Sequence, residues 1–144
     1  MSVQTTVAAI QAINVAITGM KRAPTTMPSN ISTADLPMAL VWPGDAEWSL
    51  QAMGLKRQQR VYIVRVFVAP VAQDRPVDGG YQKCLPLLEA FGQAYQSNTT
   101  LNNAVDHIQE CLDSGISGGG FELNWGGTPY WGFVYRITVV EKST

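Results

Sequence analysis

A chain of 144 residues is long enough for one domain with its own core, and 46% hydrophobic residues supply the material for it. Charged residues make up only 15%, against a usual share of about 25%, and 10 Lys+Arg against 11 Asp+Glu leave a net charge of −1. That balance excludes a general electrostatic pull towards nucleic acid or an anionic membrane, and so few charges imply that a partner covers part of the surface.

From Val3 to Ile17, the residues Val3, Val7, Ile10, Ile13 and Ile17 recur at spacings of three and four, which predicts an amphipathic first helix. Gly19 supplies a stop, and Lys21 and Arg22 a favourable charge for the helix C-terminus. The stretch lacks a basic leader, and Gln4, Gln11 and Asn14 interrupt its apolar run. We therefore expect a soluble, unexported chain without a membrane span. The Pro/Ser/Thr-rich segment APTTMPSNISTADLP reads as a long connector.

MALVWPG predicts a short buried strand closed by a turn at Pro43 and Gly44. Trp48, Leu50 and Ala52 then alternate with polar residues as a second strand, and GLKRQQR forms a hairpin tip. Lys56, Arg57 and Arg60 make the densest basic group, either a solvated tip or a contact for acidic protein or nucleic acid. The return run RVYIVRVFVAPV is apolar on both faces, so it belongs in the middle of a sheet or meets another subunit.

QDRPVDGG reads as a turn cluster. A second helix follows with Tyr81, Cys84, Leu88, Phe91 and Tyr95 on one face and Pro86 in its first turn. The segment from Thr100 to Ile116 suits a helix through Leu101, Val105, Ile108 and Leu112, or a strand from Val105 to Leu112. Gly115 and Gly118 to Gly120 read as a flexible link; they lack the Lys-Ser/Thr of a phosphate loop. FELNW and PYWGFVYRITVVE, around Gly126-Gly127, predict a hairpin ending in a long strand from Tyr130 to Val140. Trp125, Tyr130 and Trp131 flank its turn and are candidates for an interface, whereas most of the four tryptophans belong to the core.

Cys84 and Cys111 are too far apart for a CxxC pair and read as half-buried thiols that act as small hydrophobes. His107 is the single histidine, so the residues outline no metal or cofactor site. A thiol hydrolase using Cys84 and His107, with Asp106 or Asp113 as orienter, is the catalytic alternative, although no local motif frames it.

The order of segments resembles the tail terminator, or tail completion, proteins of long-tailed, non-contractile bacteriophages. The likeness covers almost the whole chain: the N-terminal helix, LPMALVWPG after the connector, RVYIVRVFVAPV, PLLEAFGQAYQSN and GGTPYWGFVYRITVVE, the last being the most distinctive. The resemblance implies one α+β domain over residues 1–144, a mixed or antiparallel sheet carrying two main helices. It favours a strand for Ala104 to Leu112 and implies no catalytic residue, metal or cofactor. It further implies a six-membered ring that caps the head-proximal end of the tail tube, stops its growth and joins it to the head. The implied partners are other copies of the chain, the tube protein and the head-completion or connector protein. Non-specific contact with DNA in the channel is a further candidate, and no membrane is involved. Assembly would occur in the host cytoplasm and the ring would reside in the virion; a head-closure or neck adaptor protein is the nearest alternative.

Overall fold

The computed structural model describes residues 3–28, 36–50, 56–70, 77–117, 123–125 and 128–141. Its described elements run α1 (Val3–Ala16), β1 (Met38–Leu50), β2 (Lys56–Pro70), α2 (Val77–Ser97), β3 (His107–Ser117), β4 (Leu123–Trp125) and β5 (Thr128–Glu141). All strand pairs are antiparallel, in the order β1-β2-β5-β3, with β4 a short fifth strand on β5. The chain is thus an α+β domain with two helices and an antiparallel rather than mixed sheet among its described residues. An isolated parallel bridge joins Arg22 to Met38.

The long run of β-branched and aromatic residues in β2 does lie inside the sheet, between β1 and β5. Alternation sends Tyr62, Val64 and Val66 to the helix-bearing face, where each is fully buried. Register partners Ile137, Tyr135 and Phe133 on β5 share that face. Against it pack Ile10, Ile13 and Ile17 from the first helix and its following turn, and Cys84, Leu87, Phe91 and Tyr95 from α2. The rings of Phe91, Tyr95, Phe133 and Tyr135 meet mostly edge to face, with centroids 5.4–6.3 Å apart. A smaller cluster of Leu36, Met38, Leu40, Phe67 and Tyr130 occupies the opposite parity of the strands.

Several expectations are corrected. Pro43 and Gly44 do not end a strand: β1 continues through them with a register shift between Pro43 and Ala46, a bulge that an edge strand tolerates. The basic group consequently lies within β2, with Lys56 opposite Leu50 and Arg57 opposite Ser49, and the connection at 51–55 falls outside the described residues. Lys21 and Arg22 do not cap α1; their backbone N–H groups donate to Pro37 O, binding this segment to the start of β1. Gly19 supplies the expected break, at φ +96°, and a Cβ there would already touch Leu87 Cδ2 at 3.4 Å.

The helix α2 begins at Val77, so VDGG is its first turn and Pro86 lies inside it rather than at its start. Leu88 is only half buried, and Leu87 takes its expected place in the core. Between Ser97 and His107 the chain is turn, with Leu101, Asn102 and Asn103 all at positive φ. Asn102 N donates to Asn98 Oδ1 at 2.9 Å and Asn103 N to Thr100 Oγ1 at 3.3 Å, the local chemistry that lets Asn hold such conformations. The strand alternative then holds from His107, and it runs on through Gly115, which is no free link; Gly118 to Gly120 lie outside the described residues. The expected hairpin forms, pairing Leu123 with Tyr130 and Trp125 with Thr128.

Polar residues that interrupt the apolar run of α1 turn inward. Gln11 and Asn14 are buried. Gln11 Nε2 donates to Pro24 O at 2.6 Å and Ala39 O at 2.9 Å, Asn14 Nδ2 donates to Gln11 Oε1 at 2.9 Å, and the Tyr95 hydroxyl donates to Asn14 Oδ1. This chain ties α1 to its following segment, to β1 and to α2.

Two substitutions test these assignments. Val64→Asp buries an unpaired charge costing several kcal/mol against a total stability of about 5–15, so no folded soluble protein is expected, while Val64→Ala folds with a lower melting point. Asn14→Ala strands the Tyr95 hydroxyl and Gln11 Oε1 and should cost about 1–3 kcal/mol in denaturant unfolding; no measurable loss would mean that the polar chain is not closed.

Candidate interaction surface

The sheet face turned from the helices is built by the odd positions of β2 and their register partners. Trp42 on β1 pairs with Ile63, Ile63 with Arg136 on β5, and Arg136 with Leu112 on β3, giving one row across four strands. The neighbouring rows add Arg65 opposite Val134 and Val61 opposite Thr138. Leu112 is 53% exposed, Arg136 is exposed, and Trp42, Val61, Ile63, Arg65 and Val134 are half buried. The Arg65 guanidinium lies 4.6 Å over the Trp42 ring, a cation–π contact that holds both flat against the sheet. Arg136 has no hydrogen bond or ion pair among the described residues.

Among the described side chains, Arg60, Tyr130 and Trp131 do not form one patch. Arg60 is half buried and its Nη1 donates to Gly44 O at 3.0 Å, so it braces the β1 bulge. Lys56 pairs with Leu50 and Arg57 with Ser49 at the start of β2, and their side chains lie outside the described residues. Tyr130 and Trp131 are 5% and 3% exposed. Tyr130 packs edge-on against Phe67 at 5.5 Å and Trp131 enters the main core, so burial in their own chain replaces the aromatic surface expected of them. Trp125 pairs with Thr128, and its side chain lies outside the described residues. Arg65 and Arg136 were missed; the signal was there, as isolated cations within otherwise apolar strands.

The thiol–imidazole pair is not assembled. Cys84 is fully buried in the core, whereas His107 opens β3 at the surface with its Nδ1 3.3 Å from Asp106 Oδ2. Thirteen residues of α2, about 20 Å of helix, separate Cys84 from Ser97, and His107 comes only after the turn beyond it. Among the described residues no three His, Cys, Asp or Glu gather as metal ligands, and no helix is long and apolar enough to cross a membrane. A cleft of about 450 Å³ between the end of α1, the end of β2 and α2 is lined mainly by apolar side chains, with Lys21 and Lys83 as its charged groups.

Behind the sheet, Cys111, Tyr95 and Tyr135 share one acid–base environment. Burial, then the Asp113 carboxylate, raises the Cys111 thiol, although the residue itself stands at the exposed sheet edge. Burial also pushes the Tyr95 and Tyr135 phenols up; the Tyr135 hydroxyl donates to Leu88 O at 2.6 Å. All three groups are neutral when folded and ionise more readily when unfolded, so their contribution is complete below the unfolded thiol value of about 8.5. It is lost as pH rises through the unfolded thiol and phenol values. Denaturant stability should therefore hold to about pH 8 and fall beyond pH 9. Thiolate-selective labelling of folded protein should reach Cys111 alone and slowly, with a midpoint lowered in Asp113→Asn; equal labelling of Cys84 would contradict the packing.

Comparison of the sequence with protein-family models gave no match, and comparison with curated proteins gave no relative.

Proposed function

We propose that this chain is a structural subunit of a bacteriophage tail, a terminator that assembles into a ring on the head-proximal end of the tail tube. The ring stops tube growth and offers the head connector its seat. The order of helices and strands supports the reading, since the α+β arrangement is the one that the sequence resemblance implies. The observation that carries it is the sheet face of Trp42, Ile63, Arg65, Val134, Arg136 and Leu112, where aliphatic, aromatic and guanidinium groups lie half buried or exposed on one surface. That is the composition of interface centres, in which Trp and Arg supply most of the binding energy. The role is structural, not catalytic: area buried between copies, tube and connector does the work, with stable interfaces burying about 1,200–2,000 Å². Assembly in the host cytoplasm keeps Cys84 and Cys111 reduced, and the finished ring resides in the virion neck.

The test is removal of the gene from the phage that carries it. Electron microscopy should show tails of abnormal, uncontrolled length unattached to heads, and supplying the protein in trans should restore normal particles. Tails of normal length beside heads that lose DNA would instead assign the chain to head closure.

A further inference from the structure

We infer that α2 is a jointed helix, in which the turns before Pro86 open on their own about that residue while the turns after it stay closed on the sheet. The joint holds whether or not the chain is a tail subunit, because it is built from contacts within one copy.

The turns before Pro86 are weak by sequence. Residues 77–85 make a short stretch that carries Gly79 and Gly80 in succession and runs into a proline. A helix so short is marginal in water without packing, and glycine is the poorest helix former after proline. Pro86 has no N–H, so Gln82 O receives no bond from the residue four places on, and the proline ring crowds that carbonyl. Both residues are exposed, which lets water take the vacant acceptor. Of the described side chains at 82–85, Cys84 alone is buried, while Gln82, Lys83 and Leu85 are exposed.

The turns after Pro86 are fastened at several points. Tyr135 Oη donates to Leu88 O at 2.6 Å and accepts from the Gly92 N–H, so a hydroxyl from β5 is built into the hydrogen-bond ladder of α2. Leu87, Phe91 and Tyr95 enter the core, where the Phe91 ring lies 5.4 Å from Phe133 and 6.0 Å from Tyr135, and the Tyr95 hydroxyl donates to Asn14 Oδ1. Residues 87–97 are also mostly Leu, Glu, Ala and Gln, which favour helix without help. One helix therefore holds two stabilities, and the break between them falls where the helical bond is missing. The joint lies in a wall of the cleft of about 450 Å³, which Lys83, Pro86 and Leu87 line together with Gly19, Lys21 and Val68. Lys83 belongs to the opening turns and Leu87 to the fixed ones, so movement at Pro86 reshapes the cleft.

The experiment is residue-resolved amide hydrogen exchange of the full chain by NMR, in urea concentrations rising from zero but below the unfolding transition. The first four N–H groups of a helix have no helical acceptor, so the informative amides before the joint are those of residues 81–85. Their protection should be lower than that of residues 91–95 by about tenfold or more, and it should vary little with urea, since a local opening exposes little surface. Residues 91–95 should show the steep urea dependence of global unfolding. Pro86→Ala supplies the missing donor to Gln82 O and should raise the protection of residues 81–85 by about tenfold or more. Equal protection and equal urea dependence on the two sides of Pro86 would show that α2 opens as one unit and overturn the joint, a result that needs no variant. Pro86→Ala without added protection at 81–85 would overturn it equally.

Discussion

The pairing of β2 with β5 is the constraint on which the other elements depend. Twelve register partners, from Gln58–Glu141 to Pro70–Tyr130, fix which residues face the helices. A slip of one position would invert one strand of the pair, carrying Arg65 into the core and Tyr62 and Val64 out of it, or Arg136 in and Tyr135 out. Burying either guanidinium group without a partner consumes much of what a domain of this size has in reserve. The two arginines therefore serve the fold before they serve any partner, because they mark the wet face of strands whose remaining residues would be content on either side.

The helices need a different kind of specification, since an apolar stripe can slide on an apolar sheet. Gln11, Asn14 and Tyr95 provide it through directional bonds that close only when α1, β1 and α2 stand in one arrangement. Such a chain is worth having only when complete, because each unmet polar atom in a low-dielectric core is costly. The bond from Gln11 to Ala39 O also anchors the start of β1, five residues before the bulge that Arg60 clamps.

Periodicity made much of this legible. The apolar stripe of α1, the two-sided strand β2 and the Gly-Gly hairpin were visible because each follows from spacing alone. Pro43-Gly44 was misread because that dipeptide usually marks a turn, and only the sheet order reveals an edge strand that tolerates it. Pro86 pulled the expected start of α2 towards itself, although an exposed helical position tolerates the lost donor when the apolar face packs well. The Asn-rich turn after α2 hid within a sequence that fits two periodicities, and Gln11 and Asn14 looked like interruptions because their partners lie far along the chain. The candidate surface was least legible. Clustering of like charges drew attention to Lys56, Arg57 and Arg60, whereas the informative cations were single ones on alternating strands, brought into one surface by register.

An exposed strand edge carries a standing risk of open-ended growth by pairing with another chain. This chain blunts both edges, β1 with a proline, a clamped bulge and two acids, β3 with register shifts at Ile108/Glu110 and Asp113/Ile116 and its own acids. Backbone pairing between copies is thereby discouraged at the two places where it would be least specific. Edge protection follows in this way from where a chain with few charges places them.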